Sequence, residues 1–313
     1  MAEGVTRTDR GRTRIVALGA ALASALVLLA FAALADAGLK KPPAIHAHRG
    51  GTLLTYKGEQ TPILPEETML TFRHAAKLGF VLELDVKLTA DNIPVVIHDA
   101  SLERTTNCNE NVADLTVAEL RANCEVDLLG TDGNDKRMKP SDDRRGPVPM
   151  LKQVLKLAKK KDSKVNLEIK NIPSDPDFDP ATLPEYAKTV AATIKATKFP
   201  AKKLIVQSFW ARNLDVIEAD PYFAKAKTSF LSLAVANVGA RDQAAEAGYD
   251  FISPEWPVTP DYVADSHALG LKVAPFTIDV AADLRAAAAA GADAVITNDP
   301  LLAEKVFCGR KGC

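Results

Sequence analysis

The chain has 313 residues, of which 47% are hydrophobic and 25% charged, with a formal net charge of −1. These proportions exclude a mainly disordered chain and a multi-span membrane protein, and they offer no overall basic field for nucleic acid. A chain of this length buries a large core without disulfide staples and makes one large domain or two small ones.

The N-terminal segment is an address rather than a part of the fold. Arg7, Arg10, Arg12 and Arg14 stand against Glu3 and Asp9, an uncharged apolar run follows from Ile15 to Leu34, and Ala35-Asp36-Ala37 ends it. A basic start, an apolar run and a small-x-small end predict a signal peptide over residues 1–37. The run is also long enough to span a bilayer, so a retained N-terminal anchor is the alternative. Either reading exports residues 38–313, to a secreted or extracytoplasmic location with membrane association through that segment. The four cysteines agree, because disulfides persist outside the cytosol. Sequence proximity favours the pairs Cys108–Cys124 and Cys308–Cys313. No cysteine or histidine spacing suits structural zinc.

Short apolar runs then predict strands at Ala44–His48, Phe80–Val86, Pro94–His98, Val165–Lys170, Leu204–Phe209, Thr228–Leu233, Asp250–Ser253, Leu271–Thr277 and Ala294–Thr297. Helical stretches are expected at Glu67–Leu78, Met150–Lys160, Pro184–Lys195, Ala211–Glu218, Ala240–Ala247, Asp261–Leu269 and Val280–Ala290. Such alternation predicts a parallel sheet with helices outside it. About 276 residues follow Ala37, which suits an irregular α/β (β/α)₈ TIM-type barrel. Nine runs compete for its eight staves, and the link from Val86 to Pro94 is too short for a helical crossover. An open doubly wound sheet is the runner-up, but no glycine-rich phosphate fingerprint follows the first strand. Two long polar segments interrupt the pattern. One is an insertion at Ser101–Pro147, after the third strand. The other is the proline-rich Ile172–Pro184. Both follow strand ends and should rise over the catalytic face. Phe307–Cys313 reads as a stapled tail.

The unusual polar residues gather at strand ends. The first run ends in His48-Arg49-Gly50-Gly51, and the second places Glu83 and Asp85 on one face by period-two alternation. The third ends in His98-Asp99, and the fourth sets Glu168 and Lys170 on one face. A lone strand-end histidine or Glu-x-Asp pair is as readily structural; the joint placement at successive strand ends argues for chemistry. Acids on an inward barrel face need neutralising, and three carboxylates without cysteine favour a hard cation, Mg²⁺ or Ca²⁺. Arg49 and Lys170 suit a phosphate, and two histidines can share acid and base work near neutral pH. His46 lies one pleat below His48 and reads as structural, as do His74 and His267 on helices.

The run HRG, then PEET, ELDV-x-LTAD, VVIHD with S-x-x-RTT, and LEIK resembles the glycerophosphodiester phosphodiesterase family. VQSFW, VAPFTID and GADAVITNDP resemble its late strand ends, so the likeness covers Ile45 to Pro300. The resemblance implies a phospholipase-C-like barrel with a divalent metal, Ca²⁺ slightly ahead of Mg²⁺. It implies His48 and His98 as the acid/base pair, Glu83, Asp85 and Glu168 as metal ligands, and Arg49 and Lys170 on the phosphate. A glycerophosphodiester would then be hydrolysed to an alcohol and glycerol 3-phosphate. Three departures stand out: Glu67 where the family usually has asparagine, Phe276 for tryptophan and Asp279 for asparagine. Glu67 either faces the metal or serves as an early-turn helix acid. An exported enzyme of this kind could instead act on a lysophospholipid, with an apolar groove near Phe209, Trp210 and Trp256, or on teichoic polymers. The non-enzymatic alternative is a surface protein that binds a metal or an anion. No protein partner and no nucleic acid are implied.

Overall fold

The computed structural model describes residues 42–127 and 145–309. The signal or anchor segment, Cys313 and most of the charged part of the insertion lie outside the described residues. Among the described residues no helix is long and apolar enough to cross a membrane.

Eight parallel strands form the barrel. They are β1 (Ala44–Ala47), β2 (Val81–Leu88), β3 (Val165–Ile169), β4 (Leu204–Ser208), β5 (Lys227–Ser232), β6 (Phe251–Pro254), β7 (Lys272–Val273) and β8 (Ala294–Thr297). They pair in the order β7-β6-β5-β4-β3-β2-β1-β8. The remaining seam is bridged where the N–H groups of Asp293 and Ile296 donate to the carbonyls of Val273 (2.9 Å) and Pro275 (3.1 Å). The expected barrel is therefore the observed one. On β2 the alternation runs as predicted. Leu82, Leu84 and Val86 are fully buried towards the helices, and Glu83 and Asp85 occupy the other face. Each buried leucine contributes about 1.5–3 kcal/mol, which holds this stave in a single register.

The ninth run is not a stave. Pro94–Val96 pairs antiparallel with the upper part of β2, Val86 opposite Val96. A tight turn joins antiparallel neighbours where a parallel pair needs a long crossover. Here the Thr89 hydroxyl donates to Asp91 at 2.6 Å and accepts the Ile93 N–H at 3.0 Å. The insertion therefore follows an antiparallel return and comes after the second barrel strand, not the third. Its described part packs Leu102, Val112, Leu120, Cys124 and Val126 against Val95 and Ile97 of the return and Val148 just beyond it. The expected Cys108–Cys124 disulfide closes it.

The helices lie close to the expected ranges; Met69–Leu78 starts at the Thr68 cap, whose hydroxyl accepts the Thr71 N–H at 3.2 Å. Among the described residues, the following elements are among those with no counterpart in the sequence pattern. The hairpin Leu53–Tyr56/Glu59–Pro62 turns through Lys57 and Gly58, both at positive φ. Helix Val117–Asn123 lies in the insertion, with a capping box from Thr116 and Glu119. Helix Pro300–Cys308 takes in Phe307 and Cys308, the start of the expected tail.

Candidate active site

The chain leaves β1 through a sharp turn at His48-Arg49-Gly50, with Arg49 at φ 51 and Gly50 at φ 91. A Cβ on Gly50 would stand 2.5 Å from Thr71 Cγ2, so the turn requires glycine. The turn aims the Arg49 N–H at Glu83, donating to Oε2 at 2.8 Å.

β2 and β3 supply the carboxylates. Ligand oxygens of Glu83, Asp85 and Glu168 lie within 4.8 Å of one another, and all three residues are buried. Lys170 Nζ stands 3.1 Å from Glu168 Oε1 and 3.6 Å from Asp85 Oδ1. Arg49 Nε lies 3.8 Å from Asp85 Oδ2, an atom that is buried with no hydrogen-bond partner. Burial pushes the Glu83 carboxyl well above the usual carboxylate range, and the Asp85 charge adds to the rise. Glu168 is pushed up to about 7, mainly by burial. Burial opposes ionisation of Asp85 too, but Lys170, His98 and Arg49 together hold its carboxyl below the usual range. Among these buried groups, carboxyls outnumber the cations Arg49 and Lys170. An oxygen-lined pocket whose carboxyls outnumber its cations, with an orphaned carboxylate oxygen and two carboxyls whose ionisation a cation would favour, fits a hard divalent cation.

Glu67 belongs to this cluster and not to the helix that follows it. It precedes the Thr68 cap, at φ 57, and is 2% exposed. Its Oε1 accepts the Asp85 N–H at 3.1 Å, while Oε2 is buried with no hydrogen-bond partner. Burial and the neighbouring Asp85 and Glu83 push its carboxyl well above the usual range. Glu67 thus stands outside the first helical turn, with its carboxyl against Asp85 and Glu83.

The two histidines are held differently. His48 Nδ1 lies 2.7 Å from Asn298 Oδ1. His98 hangs from the antiparallel return and is anchored by its own neighbour, Nδ1 on Asp99 Oδ1. Burial, then the Arg49 charge, pushes His48 well below the ordinary histidine value. Burial lowers His98 as well, with Asp85 and Asp99 pulling the other way. His48, Arg49, His98, Asp99, Arg104, Thr277 and Asn298 line a cavity of about 390 Å³. His98 and Lys170 also line an adjoining one of about 250 Å³, under the Ile172–Pro184 segment. His46 sits below, its Nδ1 3.2 Å from Asn166 Nδ2, and does not reach the cavity.

All seven expected site residues therefore converge. The sequence reading missed their supports. Glu66 is buried and accepts from Arg49 Nη1 at 3.1 Å and from Arg104 Nη2 at 2.6 Å. Gln207 donates to Glu83 Oε1 at 2.9 Å, and Asp279 holds Asn298. Glu66 and Arg104 stand inside PEET and RTT, but nothing in their spacing marks them as partners.

An α/β barrel that gathers carboxylates, histidines and fixed cations at its C-terminal strand ends has the catalytic face of a barrel hydrolase. Residues 48–302 match the Glycerophosphoryl diester phosphodiesterase family, and the chain belongs to it. It is thereby an enzyme of the phosphoric diester hydrolases. It is 29% identical over 250 residues to a glycerophosphodiester phosphodiesterase of Caldanaerobacter subterraneus subsp. tengcongensis, covering 79% of this chain and 94% of that one. A solved Silicibacter pomeroyi structure assigned to the family matches with TM-score 0.69 and 26% identity, over 86% of this chain and 94% of its own. An Oleispira antarctica phosphodiesterase, solved with the product sn-glycerol-3-phosphate, matches with TM-score 0.65 and 21% identity, over 85% and 97%.

Proposed function

We propose that this chain is an exported, metal-dependent glycerophosphodiester phosphodiesterase that releases an alcohol and glycerol 3-phosphate. The observation that carries the reading is the carboxylate triad of Glu83, Asp85 and Glu168, set between Lys170 and Arg49 beside a cavity lined by both His48 and His98. The three carboxylates would hold the cation, with Ca²⁺ slightly ahead of Mg²⁺. When bound, the cation polarises a phosphoryl oxygen and lowers the pKa of a hydroxyl it touches. Arg49 and Lys170 place fixed positive charge against the phosphate oxygens and stabilise charge that grows there. One histidine takes the proton of the attacking oxygen, either of water or of a glycerol hydroxyl whose cyclic phosphate water then opens, and the other gives a proton to the departing alcohol oxygen as its bond to phosphorus breaks. The product bound by the Oleispira antarctica relative supports glycerol 3-phosphate as the retained half. The basic, then apolar, N-terminal segment supports export.

The test is glycerol 3-phosphate release from glycerophosphocholine with Ca²⁺, Mg²⁺ or chelator. Release is expected with metal and is lost on chelation. Replacing His48 or His98 by alanine lowers turnover about 10²–10⁴-fold. Full turnover in both variants, or in chelator, sinks the reading.

A second reading is a lysophospholipid substrate. Leu233 (69% exposed), Val235, Val238 and Val280 follow the ends of β5 and β7, and exposed Tyr56 lies on the hairpin after β1. Apolar side chains around the mouth suit an acyl chain. Faster release from lysophosphatidylcholine than from glycerophosphocholine supports it; the reverse order removes it.

A further inference from the structure

The surroundings of Asp279 give it a defined task. Its Oδ1 accepts the Thr297 hydroxyl at 3.0 Å and the Asn298 N–H at 2.7 Å. Its Oδ2 accepts the Asn298 side-chain Nδ2 at 2.7 Å. A carboxylate only accepts, so the NH₂ end of the Asn298 amide must face Asp279 and the carbonyl end must face away. That carbonyl oxygen lies 2.7 Å from His48 Nδ1. A carbonyl oxygen also only accepts, so the Nδ1 of a neutral His48 carries the proton. The lone pair is then left on Nε2, the ring nitrogen that this contact does not occupy, while the ring lines the cavity.

We propose that Asp279 is a positioning residue that fixes the tautomer of His48 through the orientation of the Asn298 amide. The inference deepens the reading of His48 as a proton-transfer group and rests on that reading for its effect on turnover. A neutral imidazole can accept a substrate proton only on the nitrogen that lacks one. The opposite tautomer would present an N–H where a base is needed, the same fault that disables a triad histidine whose orienting carboxylate becomes an amide.

Asp279→Asn is close to isosteric and reverses one polarity. Its carbonyl oxygen still accepts from Thr297 and from the Asn298 N–H, so its NH₂ group must face the NH₂ group of Asn298. Two donors repel, the Asn298 amide turns over, and its NH₂ then points at His48 Nδ1. Nδ1 must accept, and the proton moves to Nε2. The double change D279N/N298D restores the polarity. The new amide at position 279 would donate to one carboxylate oxygen at position 298, and the other oxygen would accept the His48 Nδ1 proton.

The experiment uses the full chain labelled with ¹⁵N in its five histidines, with His48→Ala to assign the signal. Two-bond ¹H–¹⁵N correlations separate the protonated ring nitrogen from the bare one. The wild type should show Nδ1–H, D279N should show Nε2–H, and D279N/N298D should return to Nδ1–H. With Ca²⁺ present, kcat on glycerophosphocholine should fall about 10²–10⁴-fold in D279N with KM nearly unchanged, and recover in the double variant. An unchanged tautomer in D279N overturns the relay and leaves the proposed function standing. A switched tautomer with unchanged kcat establishes the relay and overturns the role of His48 in proton transfer. If D279N does not fold, Asn298→Ala serves in its place and should leave His48 with a mixture of tautomers; a pure Nδ1–H form there overturns the proposal.

Discussion

Glu67 holds a left-handed backbone conformation that suits an asparagine better than a glutamate. At φ 57 a non-glycine residue costs roughly 1–2 kcal/mol, and asparagine tolerates the region because its short side chain bonds locally. The buried Oε2 without a partner adds a desolvation cost of about 1–3 kcal/mol. Glu67→Asn should therefore raise the stability of the metal-free protein by at least about 1 kcal/mol. Urea unfolding in chelator measures this, and a lower midpoint would contradict the account. The sequence singles out His48, Arg49, Glu83, Asp85, His98, Glu168 and Lys170 as polar residues at the ends of predicted strands, with alternation pairing Glu83 with Asp85 and Glu168 with Lys170. It does not reveal which way Glu67 points. That direction depends on the left-handed turn just before Thr68, and on β2 lying close enough for the Asp85 N–H to reach it.

At the scale of elements, β2 decides where His98 stands. Eight residues long, it overshoots the barrel rim, and the chain returns along it to place the Ile97 N–H on the Asp85 carbonyl at 3.1 Å. His98 thus reaches the cavity from above, not from a stave end as the strand pattern suggested. The insertion that follows shares an apolar cluster with the return and carries its own disulfide, with a sequence separation of 16 between the linked positions. A loop of that size contributes roughly 3 kcal/mol through the unfolded state. Replacing Cys108 and Cys124 by serine should make residues 101–127 sensitive to protease while helix Leu151–Lys161 and the staves keep their amide protection. Hydrogen exchange distinguishes the outcomes. Uniform loss of protection across the barrel would show that the insertion is not a separate unit.

Across the whole molecule, a polar chain runs through the barrel interior below the site. His46 contacts Asn166, Asn166 donates to Gln207 at 2.8 Å, and Gln207 donates to Glu83 at 2.9 Å. It links β1, β3, β4 and β2 beneath the carboxylates. Burial, then the Lys164 charge, pushes His46 down from 6.5 to about 4. The folded pKa lies below the unfolded one, so between these values the unfolded chain binds the extra proton. Stability should fall as pH drops from 6.5 towards 4, by roughly 3 kcal/mol from this residue. His46→Gln should flatten that part of the urea-midpoint profile against pH. An unchanged slope would assign the acid sensitivity to other groups.

Read alone, the amino-acid chain points to the barrel and to its staves within a few residues, favours the Cys108–Cys124 bridge, and singles out the seven polar residues that the fold brings together. These depend on alternation, on strand–helix spacing and on motif order, all of which are local along the chain. Only the folded arrangement shows that the third run turns back on the second and that Glu67 faces the carboxylates. The same holds for Glu66 joining Arg49 to Arg104, and for Asp279 reaching His48 through Asn298. These depend on side chains brought together across strands far apart in the chain, and no periodicity in a single sequence carries that information.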